Sequence, residues 1–294
     1  MRPQTTAFLL LALATLCWAG NFVLGRAMYA EIPPFTFNFW RWFGAMLILA
    51  PFVAPSAWQH RQAIRSHWRI LTVLALLGIT VFNSLAYTAL NTTTAVNAAL
   101  IVASLPVVIM ILSFVIYRDR ITRRQGVGLA LSLVGVVIIV IKGDWAVLAA
   151  LDVNAGDIWM TVGVFVWALY CVLLRDRPKD LPPLVFLFAI TVIGVAFLAP
   201  IYGLELAVKG GIALTLDNLL SLAYVSVFAS VVAYIAWNRG VAEVGANRAG
   251  FFSHLMPVFA TILAVVLLNE SLFAYHAAGV GLIGSGLALA TIKP

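Results

Sequence analysis

Residues 95–106 read AVNAALIVASLP, and residues 246–257 read ANRAGFFSHLMP. Both stretches are apolar, both end on a proline, and the second follows the first at an offset of 151. The same offset carries Asp119 onto Glu270, Gly128 onto Gly279, Gly135 onto Gly286 and Lys142 onto Lys293. Towards the N-terminus an offset of 149 carries Trp18-Ala19 onto Trp167-Ala168, Arg26 onto Arg175, Pro33-Pro34 onto Pro182-Pro183 and Pro51 onto Pro200. Between these blocks, Tyr87–Asn91 (YTALN) resembles Tyr234–Asn238 (YIAWN), and the second copy then gains four residues, about one helical turn. Self-similarity at one long period means two copies of one unit. The division falls into residues 1–147 and 148–294.

What each unit is made of follows from composition. Of 294 residues, 63% are hydrophobic and 10% charged, against roughly 45–50% and about 25% in soluble domains. Such a chain has too little polar surface to face water, and a bilayer is the solvent that fits. Runs of ~20 apolar residues span its hydrocarbon core. Ten are readable: 5–25, 35–55, 68–90, 95–117, 125–142, 156–174, 183–203, 216–237, 245–268 and 273–292. They are too long for barrel strands, so they are helices. The first run could pass for a secretion signal, but Cys17-Trp18 follows it and it has a counterpart at Trp167. It reads as a structural helix.

Orientation follows from lysine and arginine. With the N-terminus cytoplasmic, the inner segments hold fourteen of the eighteen, from Arg2 through Arg118–Arg124 to Lys293. The outer segments hold only Arg26, Lys142 and Lys209, and Arg41 lies within a span. Positive residues stay inside, so both termini are expected to be cytoplasmic. Five spans per unit is an odd number, so the second unit enters from the opposite side. The expected fold is all-α integral membrane, ten transmembrane helices in two inverted five-helix repeats. Inverted repeats place a solute at their interface near the midplane.

Polar groups at membrane depth need a reason. All eleven acidic residues fall in loops or at span ends, which disfavours a simple cation as cargo. Spans 1 and 6 carry Trp18 with Asn21 and Trp167 with Tyr170, each pair on one helix face. Spans 3 and 8 carry Asn83 with Tyr87, and Tyr234 with Trp237 and Asn238. Spans 4 and 9 carry Asn97, Ser104, Ser253 and His254. Together these suggest an aromatic-walled cavity for an amphipathic solute. His254 either titrates or closes a helix–helix hydrogen bond. Arg41 either snorkels to the outer interface or pairs with a carboxylate. Pro106 and Pro257 break their spans and are candidate hinges. Small residues, Gly128 with Ser132 and Ala277 with Gly281 and Ser285, suggest close packing of spans 5 and 10.

The matched segments Ala95–Pro106…Asp119 and Ala246–Pro257…Glu270, with ten spans in two halves, resemble the drug/metabolite transporter (DMT) superfamily in its EamA-type branch. Segments 164–171 (VFVWALYC) and 233–238 (AYIAWN) are similar to YddG-type aromatic amino-acid exporters. The resemblance implies a central cavity lined by spans 1, 3, 4, 6, 8 and 9 and export of amino acids or related metabolites. It departs from the four-span multidrug branch, since span 1 holds no glutamate.

The expected function is therefore secondary export of aromatic or other hydrophobic amino acids by alternating access, at the cell (inner) membrane. The alternatives are export of other neutral or amphipathic metabolites or drugs, and facilitative uniport. Cys17 and Cys171 lie in apolar runs and form no disulfide framework or zinc site. His60, His67, His254 and His276 have no metal-ligand spacing, and no nucleophile or phosphate-loop motif occurs. No enzyme activity, cofactor, metal or nucleic-acid partner is expected. The partners are a small-molecule substrate and the lipid bilayer, and the chain is expected to act as a monomer.

Overall fold

The computed structural model describes residues 3–28, 30–268 and 271–291, and all its regular elements are helical. Arg2, Glu270 and Lys293, used above for orientation or alignment, lie outside the described residues, as does the Arg26 side chain. The main helices are α1 (Pro3–Ala27), α2 (Pro34–Gln59), α3 (Trp68–Leu90), α4 (Val96–Tyr117) and α5 (Arg123–Val140). They continue as α6 (Ala155–Asp176), α7 (Pro183–Lys209), α8 (Leu216–Val244), α9 (Leu255–Leu268) and α10 (Ala274–Thr291). Their outward faces carry large apolar side chains such as Phe52, Val115, Leu204 and Val266. That is the surface a hydrocarbon solvent requires.

The helix ends obey local chemistry. Pro34 and Pro183 open α2 and α7, where a missing N–H costs nothing. Thr122 with Gln125 and Asn154 with Asp157 form capping boxes at α5 and α6. Thr94 and Thr215 cap α4 and α8. Gly245, at φ 83°, stops α8. α8 therefore runs past the sequence-predicted end at 237, because neither Arg239 nor Glu243 breaks a helix.

Among the described residues, α1 to α8 are the eight helices long and apolar enough to cross a membrane. The sequence reading counted ten, and the difference lies in the last two. α9 is described over Leu255–Leu268, and Ala246–Gly250 and a 3-10 turn at Phe251–His254 precede it. Pro257, lacking an N–H, sits just after that turn. α10 is diluted by Gly279, Gly281, Gly284 and Gly286. α4 carries the matching break, a turn at Ala103–Ser104 ahead of Pro106.

Packing exchanges equivalent helices. α1 packs on α8 and α6 on α3; α1 also packs on α9 and α6 on α4; α2 packs on α7, and α5 on α10. The α5–α10 contact is backbone on backbone. A Cβ on Gly128 would lie 2.6 Å from the Gly286 carbonyl oxygen, and one on Gly135 would lie 2.7 Å from that of Gly279. As residue number rises on α5 it falls on α10, so these two helices run antiparallel. Ala277, Gly281 and Ser285 do not make this contact. They lie on the exposed face of α10, and Gly279, Ile283, Gly286 and Ala290 form the buried one. The sequence reading chose the wrong small-residue stripe on this helix.

Candidate functional site

Two segments of α3 and α8 are wound as π-helices, Leu76–Val81 and Val225–Val232. They occupy equivalent positions in the two halves. A π-turn loosens the backbone ladder and leaves carbonyls for other donors. Here side chains take them. Asn83 Nδ2 donates to Gly78 O at 2.9 Å, and the Tyr234 hydroxyl donates to the same oxygen. Trp18 Nε1 donates to Ala229 O at 3.0 Å, and Asn38 Nδ2 donates to Ile79 O.

Arg41 sits at the centre of this lattice, 1% exposed. It does not snorkel. Nε donates to Ser230 Oγ at 2.7 Å, Nη1 to Asn83 Oδ1 at 2.7 Å and to the Tyr87 hydroxyl at 2.8 Å, and Nη2 to Ala229 O at 2.9 Å. Tyr87 in turn donates to Asn21 Oδ1 at 2.7 Å. Among the described residues no carboxylate lies within ion-pair distance of Arg41. Its guanidinium also lies over the Trp42 ring, 5.2 Å from the centroid, a favourable place for a cation.

Around this polar core stands an aromatic box. Trp18 meets Trp167 edge-on at 5.2 Å, Tyr234 at 5.8 Å and Trp237 at 5.1 Å. Trp167 stacks on Tyr170 at 4.9 Å, and Trp42 meets Tyr234 edge-on at 4.7 Å. The box closes around a small cavity of about 40 Å³ lined by Trp18, Asn21, Arg41, Asn83, Trp167, Tyr234, Trp237 and Ser253, among others. An apolar cavity of about 330 Å³, lined mainly by α1, α4, α5 and α9, adjoins it through Phe22, Val102, Ser253 and Met256. A third cavity, about 410 Å³, lies one turn further along α6 and α8 and is lined by Tyr117, Asp119, Arg175, Arg177 and Lys179, among others. The hydrogen bond from the Tyr170 hydroxyl to Asn238 Oδ1, 2.9 Å, belongs to the layer between the first and the third.

The sequence-predicted residues thus divide. Trp18, Asn21, Asn83, Trp167, Tyr234 and Trp237 meet in one cavity, with Tyr87 and Tyr170 packed behind its wall. His254 lines the adjoining apolar cavity instead. Its Nε2 faces Ala103 O at 2.9 Å and so carries the proton, and its Nδ1 meets Ser132 Oγ at 2.8 Å. Ser104 bonds back to Ile101 O within α4. Asn97 lies apart, donating to Asp157 Oδ2 at 2.8 Å and to Asp152 O at 3.0 Å. Thr93 and the Asn154 backbone also donate to Asp157, which fastens α4 to the start of α6. Asn97→Ala is therefore expected to cost stability, about 1.5 kcal/mol for a hydrogen bond to a charged group, and to leave substrate affinity unchanged. A thermal midpoint and a KM measured on the same variant separate the two. Pro106 and Pro257 mark the matched helix breaks in α4 and α9.

Arg41, Trp42, Asn38, Ser230 and Phe82 belong to the site, yet sequence reading left them out of it. One signal was available: Asn38, Arg41, Ala45 and Leu49 follow helical spacing in α2 and are all buried. Among the described residues no group of three His, Cys, Asp or Glu could hold a metal.

A family model of the EamA-like transporter family matches residues 5–141 and again 154–292. An uncharacterized transporter of Archaeoglobus fulgidus is 30% identical over 292 residues, covering 97% of each chain. The uncharacterized transporters YyaM and YetK of Bacillus subtilis are 32% and 23% identical, over 65% and 100% of this chain and 63% and 89% of theirs. A solved crystal structure at 19% identity superposes with a TM-score of 0.78, covering 98% of this chain and 96% of that one, which shows the fold alone. With apolar helices, a doubled family match and a full-length transporter relative, this chain is a membrane transporter and belongs to the EamA-like transporter family.

Proposed function

We propose that the chain is a secondary exporter of amino acids, aromatic or otherwise hydrophobic, working by alternating access through the central cavity. The observation that carries the reading is the aromatic box itself. It presents flat apolar walls and a polar patch of Asn21, Arg41 and Asn83 in one space, and that pairing of surfaces matches an amphipathic solute with a ring at one end.

On this reading the chain is a monomer of ten spans, with α9 and α10 completing the set. The halves 1–147 and 148–294 are inverted, and both termini face the cytoplasm of the inner membrane. The antiparallel crossing of α5 and α10 supports the inversion, because these helices are counterparts in the repeat. The paired α1–α8 and α6–α3 contacts support it too. The matched breaks near Pro106 and Pro257 are the hinges, and the Tyr170–Asn238 layer closes the inner side.

A specific observation also favours facilitated flux over proton coupling. His254 has both ring nitrogens engaged, and the buried acids Asp157 and Glu205 cap the ends of α6 and α2. No histidine or carboxylate lines the central cavity among the described residues. Counterflow of labelled phenylalanine in proteoliposomes tests the reading. Saturable exchange is expected, with an initial rate indifferent to an imposed pH gradient; absence of saturable exchange with phenylalanine, tryptophan or leucine overturns it.

A further inference from the structure

We infer that Arg41 is the anchor for a substrate carboxylate, and that the cavity selects its cargo by that carboxylate and not by an amino group. The inference deepens the proposed function and rests on the central cavity being the transport site.

A guanidinium has five N–H donors. Protein acceptors account for one on Nε, two on Nη1 and one on Nη2. One Nη2–H remains without an acceptor among the described residues, and Arg41 borders the empty central cavity. Asn21 borders it as well. Its carbonyl oxygen is taken by the Tyr87 hydroxyl, and its amide N–H groups have no protein acceptor among the described residues. The chain Arg41–Tyr87–Asn21 thus holds a fixed cation and a neutral amide donor at one wall.

All four Arg41 acceptors are neutral: a serine, an asparagine, a tyrosine and a backbone carbonyl. A buried cation is normally balanced by a buried anion, and none lies within ion-pair distance of Arg41 among the described residues. A carboxylate on the ligand supplies that charge and forms a strong charge-assisted hydrogen bond with a guanidinium N–H. For an ammonium group the cavity offers ring faces, amides and the Ser253 hydroxyl, and no carboxylate among the described residues.

The basic cavity beyond Tyr170 agrees with an anionic head group. Its acid Asp119 is engaged by Arg175 at 3.3 Å, neighbouring Asp176 takes the Tyr117 hydroxyl, and Asp180 lies 3.3 Å from His67. Arg177 and Lys179 have no acidic partner within ion-pair distance among the described residues. Their surplus charge raises the local concentration of anions at that opening.

The test is a ligand series on the purified wild-type chain, read by thermal stabilisation and by competition in the phenylalanine counterflow assay. The probes are 3-phenylpropionate, phenylalanine, phenylalaninamide and phenethylamine. Expected is binding of 3-phenylpropionate at least as tight as that of phenylalanine, with the amide and the amine weaker by about tenfold or more. Arg41→Gln, checked for monodispersity, is expected to erase the preference, and Arg41→Lys to keep part of it. Equal binding of amine, amide and carboxylate by wild type overturns the inference, as does an unchanged preference in folded Arg41→Gln. The two readings fail separately. Carboxylate-selective stabilisation without amino-acid flux sinks amino-acid transport and keeps the anchor; saturable phenylalanine flux without carboxylate selectivity does the reverse.

Discussion

Gly286→Leu is expected to prevent stable assembly of the chain, while Gly281→Leu on the same helix leaves it intact. In lipid, helices gain nothing from escaping water, so close backbone approach and van der Waals contact decide whether they associate. α5 and α10 depend on that approach. A Cβ on Gly286 would fall 2.4 Å from the Gly128 carbonyl oxygen and 2.8 Å from the Ser132 backbone nitrogen. Neither atom can swing aside as a side-chain tip does, so the helices must separate along their whole contact. Overpacking of this kind costs about 3 kcal/mol, a fall in thermal midpoint of roughly 10 °C. Separation would also open the contact at Gly135 and Gly279, and would pull Ser132 from His254. At Gly281 an added Cβ meets nothing within 4 Å. Monodispersity and thermal midpoint of both variants in detergent check the claim; equal behaviour of the two would refute it.

The same pair of helices shows what the sequence could convey. The offset of 151 aligned Gly128 with Gly279 and Gly135 with Gly286. These four glycines are the ones in contact, but with the partners exchanged: Gly128 meets Gly286 and Gly135 meets Gly279, because the two helices run in opposite directions. Choosing a stripe by small-residue spacing alone pointed instead to Ala277, Gly281 and Ser285, since spacing carries no information about which face is covered. The aromatic residues of the box were legible because bulky rings deep in a span have few explanations. Arg41 was legible only as a problem, a charge at depth, with two solutions open. Its actual surroundings depend on acceptors that no residue pattern announces. These are the side chains of Ser230, Asn83 and Tyr87 and the π-helical carbonyl of Ala229, the last set free by a local winding that follows from tertiary packing. Asn97 was misread in the opposite direction. A polar residue in a span looked like a cavity group, whereas it serves Asp157 at a helix start 60 residues away in sequence.

Trp18→Ala is expected to reduce transport about thirtyfold or more, whereas Trp18→Phe retains a substantial part of it. Trp18 is the ring that joins the box: it touches Trp167, Tyr234 and Trp237 and donates to the Ala229 carbonyl. Ala229 O also accepts from Arg41, so the indole and the guanidinium share one acceptor on the π-turn of α8. Removing the indole does two things at once. It takes away a wall on which a flat solute would lie, worth about 2 kcal/mol of binding, or roughly thirtyfold. It also frees the three remaining rings to collapse into the space, because Trp167 and Tyr234 pack edge-on and Trp237 tilted against Trp18. Phenylalanine restores the wall and the angles but not the donor, leaving Ala229 O to Arg41 alone. A shared-acceptor hydrogen bond inside a bilayer is worth only ~0.6 kcal/mol on average, so the loss on that account is small. The ordering wild type, then Phe, then Ala in phenylalanine counterflow follows from wall area. If the Phe variant were as inactive as the Ala variant, the indole donor and not the ring face would be the essential feature, and Trp18 would serve to hold the α8 carbonyl in register with Arg41 and not to face the substrate.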